Sequence, residues 1–152
     1  MAKMKSFELD RIDERILEEL WLNARITNAE LAKAVGLSAS PVWNRVKALE
    51  EAGIIAGYKA VINQAALGRS ETMIVQVTME RHDLAAMSSF ERAVSAMPEV
   101  VEAAVIAGEC DFQLKVAVSG TDDFERFLRQ SLYPLPGVRQ IKSILVLRSI
   151  TK

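Results

Sequence analysis

Reactive side chains are scarce in this chain, whose 152 residues include one cysteine, Cys110, and one histidine, His82. A single cysteine excludes a disulfide within the chain and fits a reducing compartment. The sequence also shows no metal-ligand spacing, no Ser-His-Asp set and no glycine-rich phosphate loop. We therefore expect no catalytic residues, no cofactor and no bound metal, and the sequence argues against an enzyme.

Long apolar runs and a net excess of charge are absent as well. No apolar run approaches the roughly 18 residues of a membrane span, and the first ten residues lack the apolar core of a secretory signal. Together with the single cysteine, these features predict a cytoplasmic protein. The 19 basic and 20 acidic residues nearly cancel, so no overall basic charge indicates nucleic-acid binding.

The segment 27–53, TNAELAKAVGLSASPVWNRVKALEEAG, has the pattern of two short helices joined by a tight turn. Thr27 and Glu30 form a Thr-x-x-Glu capping box at the start of the first helix. Gly36 lies where a left-handed turn residue is needed. Ser38 is placed to cap the second helix, and Pro41 lies in the first turn of that helix. This combination is typical of a helix-turn-helix.

The second helix of this motif has one apolar and one polar face. Val42, Val46 and Leu49 recur at the spacing of a buried stripe, while Asn44 and Lys47 lie on the opposite face. The N-terminal part of a recognition helix meets base edges, where Asn reads adenine and Lys reaches guanine or phosphate. The predicted DNA-contacting residues are Arg25, Ser38, Ser40, Pro41, Trp43, Asn44, Arg45 and Lys47. The alternative is a plain helical hairpin whose polar face is only solvated.

The head of the chain carries no net charge, since residues 1–63 hold nine basic and nine acidic side chains. Contact with phosphates usually needs a local basic patch, so the placement of the charges has to supply one. We predict that Arg25, Lys33, Arg45, Lys47 and Lys59 face DNA while acidic side chains face away. A weakly binding head favours a dimer or a larger assembly, in which avidity multiplies the affinity.

Around the motif, the sequence predicts two domains. A helix begins near Asp10, and the extended stretch 58–62 follows the motif as a wing or as a strand leaving the head. Strands are predicted at 73–79, 100–107, 112–118 and 138–150, and helices at 84–97 and 122–132. The order β-α-β-β-α-β is that of a ferredoxin-like fold, and the fold class is α+β. The predicted boundaries are 1–62 for the helix-turn-helix domain, 63–70 for a linker and 71–152 for the ferredoxin-like domain.

A sheet of this kind is covered by helices on one face and open on the other. The last predicted strand is apolar on both faces at 144–147. An exposed apolar patch of that size is a liability, so we expect the open face to pack against a second copy of the chain. The sequence therefore predicts at least a homodimer.

Four stretches of the chain carry a family resemblance, and together they span nearly all of it. They read LDRIDERIL at 9–17, GLSASPVWNRVKALEEAGII at 36–55, GECDFQLKV at 108–116 and LPGV at 135–138. Each is weak by itself, but their order and spacing are specific. With a helix-turn-helix head and a ferredoxin-like tail, the chain resembles the Lrp/AsnC family of bacterial and archaeal transcription regulators.

The resemblance implies a DNA-binding head and a tail that both oligomerises and senses a small amino acid. Members of the family pair through their sheets and commonly assemble four dimers into an octamer, with effectors bound between dimers. The effector residues implied by the resemblance are Gly108, Asp111, Thr121, Asp122, Asp123 and Ser143. Main-chain N–H groups at Gly108 and near Thr121 suit a carboxylate, and the aspartates suit an ammonium. Alternatively, Asp111 only caps a turn and the other two aspartates only favour a helix start.

Two other functions fit the same architecture. Sirohaem decarboxylases resemble it, but a tetrapyrrole site needs histidines and cationic clamps, and His82 lies in a polar turn. A purely architectural DNA-wrapping protein is the other alternative, because Cys110 and Ile141 depart from the residues usual in the family. We favour a nucleoid-associated transcription regulator whose partners are double-stranded DNA, a small amino acid and further copies of itself.

Overall fold

The computed structural model describes residues 7–150, which divide into two compact units between Val61 and Ile62. The first unit holds helices α1 (Arg11–Leu22), α2 (Asn28–Val35) and α3 (Ala39–Glu51). The second holds strands β1 (Glu71–Met79), β2 (Val100–Val105), β3 (Phe112–Val118) and β4 (Val138–Leu145) and helices α4 (Leu84–Ser95) and α5 (Thr121–Phe127). The α+β fold class and the predicted element order are confirmed.

The helices of the head begin where the sequence predicted. The Asp10 carboxylate caps α1 by accepting hydrogen bonds from the N–H groups of Ile12 and Asp13, at 2.8 and 2.9 Å. Thr27 and Glu30 form the predicted capping box of α2, with reciprocal hydrogen bonds of 2.9 and 3.2 Å. The hydrogen bonds that the Glu30 carboxylate accepts from the N–H and then from the hydroxyl of Thr27 hold the pKa of Glu30 below its usual value.

The cap predicted for α3 lacks its expected hydrogen bond. Ser38 is the N-cap residue of α3 by position, but its hydroxyl makes no capping hydrogen bond. The turn from α2 into α3 is instead set by Gly36, which adopts the left-handed conformation at φ 77°. The Ser38 side chain is therefore not committed to the helix start.

No strand forms at 58–62, the stretch predicted as a wing or as a strand leaving the head. Gly57 has φ 150° and breaks the extended run, and within the described residues no second strand pairs with this segment. Inside the predicted linker, Ala65–Leu67 make one turn of 3₁₀ helix. The Asn63 carboxamide accepts a hydrogen bond from Ala66 N in this turn.

The three helices of the head share one small apolar core. Its fully buried members are Ile16, Leu31, Ala32, Val35, Val42 and Leu49. The stripe predicted for α3 is confirmed, with Val46 packed at its margin. Arg15 of α1 donates hydrogen bonds to the carbonyls of Ala34 and Val35 at the end of α2, so a side chain satisfies carbonyls that the helix itself leaves free.

The tail is a four-stranded antiparallel sheet in the order β2-β3-β1-β4. β4 ends at Leu145 rather than at Ile150. The reason is that its partner β1 begins at Glu71, and the last main-chain bond, from Val146 N to Thr72 O, is made there. After α5, residues Leu128–Leu132 continue as one π-helical turn, so the predicted helix at 122–132 is continuous but changes its winding.

The helix-covered face of the sheet forms the core of the tail. Side chains of β1 and β3 alternate between faces, and Val75, Val77, Leu114 and Val116 are fully buried on the covered face. They pack against aromatic and aliphatic side chains from the helices, among them Phe90, Val94, Phe124, Phe127 and Leu132. This is where the tail obtains its hydrophobic stabilisation.

The open face is less apolar than the sequence suggested. Gln76 and Thr78 of β1 lie on it, paired with Lys142 and Gln140 of β4. The apolar exception is the cross-strand pair Ile74 and Ile144. Exposed apolar side chains concentrate near the end of β4 and beyond it, at Ile144, Leu145, Leu147 and Ile150.

We predict that Leu114→Ala lowers the free energy of unfolding by about 2–5 kcal/mol, as expected for truncating a buried leucine. Leu114 is completely buried in the central strand β3. Leu84→Ala is the matched control, since Leu84 is 86% exposed at the start of α4, and a change within about 0.5 kcal/mol is expected. Urea unfolding followed by circular dichroism measures both, and equal losses would contradict this assignment of the core.

Candidate DNA-binding surface and effector site

The predicted DNA-contacting face is exposed along α3. Ser40, Asn44 and Lys47 lie on one side of the helix, at successive turns, and all three are exposed. Trp43 flanks them with half of its surface exposed, and Pro41 is exposed in the first turn. The face is thus free to enter a groove, and the contacts of these residues with DNA stay a prediction.

Lys47 does not stand alone on this face. Its ammonium lies 5.3 Å from the centre of the Trp43 ring, within the range of a cation–π interaction. It also lies 3.7 Å from Oε1 of Glu51, one turn further along the helix. The sequence predicted that Glu51 points away from phosphates, yet its carboxylate sits beside the cation expected to meet them. The positive charge of this face is therefore partly compensated.

Arg45 points to the head itself. Its Nη1 lies 2.7 Å from Oδ2 of Asp10 and 2.7 Å from Oδ1 of Asp13. The hydrogen bonds to Asp13 and then to Asp10 raise the pKa of the guanidinium. The sequence counted Arg45 among the phosphate contacts, whereas the structure engages it with two carboxylates of α1.

The other predicted phosphate contacts are surface residues. Arg25, Lys33 and Lys59 are exposed, and the main-chain N–H of Arg25 donates to Oδ1 of Asn23 in the turn after α1. The hydroxyl-bearing Ser38 is exposed at the start of α3. Each of these residues remains available to a polyanion.

In the tail, Asp111 is held firmly by the sheet. Its Oδ2 accepts a hydrogen bond of 2.8 Å from Met79 N, and its Oδ1 lies 2.9 Å from Nε2 of His82. Its main chain is bonded to Val77 and Ile106 on both sides. The residue thus joins the end of β1 to the turn before β3, which is more than the simple turn cap considered above.

His82 is a partner of Asp111 that the sequence did not reveal. Its side chain is 65% exposed, as predicted for a polar turn, but it covers one oxygen of Asp111. Nothing local could have shown this pair, because 29 residues separate the two positions. A surface cleft of about 320 Å³ opens beside it. The cleft is lined by Glu80, Arg81, Asp83, Ala86, Ser89, Pro136 and Gly137.

Of the two aspartates at the start of α5, Asp123 makes contacts within the first turns of the helix and with Ser119 before it. Oδ2 of Asp123 accepts hydrogen bonds from the N–H and hydroxyl of Ser119 at 3.0 and 3.1 Å, and Oδ1 lies 2.9 Å from Nη1 of Arg126. The main-chain bond from Ser119 is the leading cause of the lowered pKa of Asp123. Thr121 and Asp122 are exposed in the first turn. For Asp123, the structure therefore supports the alternative of a residue that stabilises the helix start.

The six implied effector residues do not meet within one chain. Gly108 and Asp111 precede β3, whereas 121–123 follow it. Seven residues of strand separate the two groups, a distance of about 23 Å at 3.3 Å per residue. Ser143 lies in the middle of β4, opposite Val75. Any site that uses all of these residues has to combine two copies of the chain.

Residues 7–150 offer no group of three or more histidine, cysteine, aspartate or glutamate side chains placed to hold a metal ion. In the same residues, no helix combines the length and the apolarity needed to cross a bilayer.

A helix-turn-helix head with an exposed polar recognition face, joined to an α+β tail, defines a DNA-binding transcriptional regulator with a second, ligand-binding domain. The family model described as winged helix-turn-helix DNA-binding matches residues 9–56, and the model described as Lrp/AsnC ligand binding domain matches residues 72–152. The chain belongs to the Lrp/AsnC family. Its two parts are a helix-turn-helix DNA-binding domain and an Lrp/AsnC ligand-binding domain, as expected for a regulator of transcription.

Curated relatives cover almost the whole chain. The leucine-responsive regulatory protein of Haemophilus influenzae is 35% identical over 99% of this chain and 90% of its own length. The leucine-responsive regulatory protein of Escherichia coli K12 is 36% identical over 94% of this chain and 87% of its own length. Both relatives are named as regulatory proteins.

Solved structures agree with the fold. A transcriptional regulator of Neisseria meningitidis in complex with L-Met superimposes with a TM-score of 0.88 at 32% identity, covering 95% of this chain and 94% of that one. The feast or famine regulatory protein of M. tuberculosis, complexed with L-methionine, gives a TM-score of 0.82 at 31% identity, with 95% and 96% covered. The AsnC protein of E. coli gives 0.81 at 26% identity, with 96% and 97% covered.

We predict that Asn44→Ala combined with Lys47→Ala weakens binding to operator DNA and leaves the size of the assembly unchanged, because both side chains are exposed on α3 and outside the core. Fluorescence anisotropy and light scattering measure the two quantities. Unaltered DNA affinity, or a change in assembly size, would remove this face from the DNA interface.

We also predict that Glu51→Gln tightens DNA binding, since it removes a carboxylate from the side of Lys47. An exposed pair is worth up to about 1 kcal/mol, which corresponds to a gain of up to about fivefold. Glu14→Gln makes the same charge change on the exposed surface of α1 and serves as the control. If the two variants gain equally, the effect is one of net charge and Glu51 has no specific part in it.

Proposed function

We propose that the chain binds a small α-amino acid between copies of itself and that this binding changes how its DNA-binding heads are arranged. The observation that carries the proposal is the separation of the implied effector residues. The turn with Gly108 and Asp111 and the start of α5 lie at opposite ends of β3. A ligand that bridges the two regions therefore has to bridge two chains.

The apolar residues on the sheet support a homodimer. Ile74 and Ile144 form a cross-strand pair on the open face, and Leu147 and Ile150 are almost fully exposed beyond β4. Burying these side chains against a second copy removes apolar surface from water. We propose that dimers form through this region and assemble further into an octamer, which is the arrangement implied by the family resemblance.

The weak charge of the head supports the same conclusion. Arg45 is engaged by carboxylates and Lys47 lies beside Glu51, so both basic residues of the recognition helix are compensated by nearby carboxylates. Several heads on one assembly raise the effective concentration at neighbouring half-sites. We propose that the protein acts on chromosomal DNA in the cytoplasm, as a nucleoid-associated regulator and without enzymatic activity.

The effector that we propose is an amino acid with an apolar side chain. The names of the relatives point to leucine and methionine. In this chain, the Asp111 carboxylate is the group placed to hold an ammonium, with main-chain N–H groups near Gly108 as partners for the carboxylate. Ligand binding would act by favouring one arrangement of copies over another.

The experiment that tests this function is light scattering of the purified protein with each of the twenty amino acids, run in parallel with binding to its own promoter DNA. We expect an assembly larger than a dimer whose size or DNA affinity changes with one or a few apolar amino acids. A dimer that ignores every amino acid but binds DNA would support the purely architectural alternative. A protein that binds neither DNA nor an amino acid would favour the alternative of an enzyme that acts on a tetrapyrrole.

We predict that Asp111→Asn reduces the response to the effector. Asparagine still offers an acceptor to Met79 N but lacks the negative charge, and a hydrogen bond to a charged group is worth about 1.5–3 kcal/mol, or a loss of roughly 10- to 150-fold in affinity. Glu109→Gln removes a charge from the same turn, where Glu109 is 95% exposed, and should change little. Calorimetry separates the two, and an Asp111→Asn variant with parental affinity would contradict the assignment.

A further inference from the structure

The Arg45 side chain completes a closed network of charges at one end of the head. Each oxygen of the two aspartates has a defined partner. Oδ1 of Asp10 caps α1, Oδ2 of Asp10 and Oδ1 of Asp13 each lie 2.7 Å from Nη1 of Arg45, and Oδ2 of Asp13 accepts from Asp10 N at 3.1 Å. Asp13 is buried, so its charge is compensated inside the head. The network binds the first turn of α1 to the middle of α3.

Because Arg45 lies on α3, this network can restrain the orientation of the recognition face. At about 100° per residue, Arg45 lies about 140° around the helix from Ser40, on the flank between the exposed face and the buried stripe. The stripe of Val42 and Leu49 holds α3 against the head, but apolar packing is non-directional. The charge-assisted hydrogen bonds of Arg45 are short and directional, so they resist rotation of α3 about its own axis.

Rotation of α3 displaces its polar side chains, because their tips lie far from the helix axis. Side-chain tips lie about 5–6 Å from the axis of a helix, so a rotation of about 20° moves the tip of Asn44 by about 2 Å. That displacement exceeds the tolerance of a hydrogen bond to a base edge. A head that loses the Arg45 network would keep its fold and core, but Asn44 and Lys47 would be displaced from their contacts on DNA.

We infer that Arg45, held by Asp10 and Asp13, is a positioning residue for DNA recognition: it sets the rotation of α3 and makes no phosphate contact of its own. Asp10 and Asp13 thereby act on DNA affinity from α1, although both are acidic residues on a protein that binds a polyanion. Removing either negative charge should weaken DNA binding, which is the reverse of what net charge predicts.

The test measures DNA affinity as a function of salt concentration for five single variants of the 152-residue chain. Arg45→Gln and Asp13→Asn each break the network. Asp10→Asn removes one of the two ion pairs at a smaller cost in stability, since asparagine is also a good N-cap and half of the Asp10 side chain is exposed. Glu14→Gln removes the same charge from the exposed side of α1 and is the control. Affinities are corrected for the active fraction by stoichiometric titration, and folding is checked by circular dichroism.

We expect the three network variants to lose about tenfold in affinity, the size of one misplaced base contact, with the salt dependence of the parent. Lys47→Gln provides the reference for a phosphate contact, since losing one lowers the slope of log K against log salt by about 0.9. Glu14→Gln should bind DNA as well as the parent or slightly better.

Three results would overturn the inference. A slope lowered by about 0.9 in Arg45→Gln would make Arg45 a phosphate contact. Asp13→Asn or Asp10→Asn binding as tightly as Glu14→Gln would show that the pairs do not influence recognition. Folded variants with parental affinity would leave the network a matter of stability alone. If Arg45→Gln or Asp13→Asn does not fold, Asp10→Asn decides between these outcomes.

Discussion

The pairing of β1 with β3 on one side and β4 on the other is the constraint on which the tail depends. This register decides which side chains enter the core and which remain outside, because neighbouring residues of a strand face opposite ways. It sends Val75 and Val77 into the core and leaves Ile74 and Gln76 on the open face. It also places the Asp111 turn and the start of α5 at opposite ends of β3. A ligand site that uses both regions, as we propose, therefore has to combine copies of the chain.

Charge is organised differently in the head, where nearby carboxylates compensate the two basic residues of the recognition helix. Arg45 is compensated by Asp10 and Asp13, and Lys47 lies between the Trp43 ring and Glu51. Such pairing lowers the electrostatic, sequence-independent part of DNA binding. The remaining affinity has to come from base contacts and from avidity, and both depend on how accurately the recognition helices are presented.

Patterns that act over a few residues were readable in the sequence. The Thr27 and Glu30 capping box, the helix start at Asp10 and the buried stripe of α3 all follow from local chemistry, and the structure confirms them. The element order of the tail was equally readable, because apolar alternation and helix breakers are local signals. The separation of the implied effector residues was in principle also available, since β3 lies between them in the predicted order.

What the sequence did not reveal depends on partners that are distant along the chain. Arg45 meets Asp10 across 35 positions and His82 meets Asp111 across 29, and no local pattern predicts such pairs. Residues 58–62 form no strand for a related reason, because an extended run becomes a strand only when another strand completes its hydrogen bonds. β4 is shorter than its apolar run for the same reason, since it ends where β1 begins.

The strand register of the tail and the charge pairing of the head both bear on how the protein is regulated. In the proposed function, the ligand region is shared between chains, and several heads of one assembly act together on DNA. A small amino acid need only favour one arrangement of copies to change the spacing and orientation of several heads at once. On this proposal, the ligand controls DNA binding through the free energy of its differential affinity for the two arrangements.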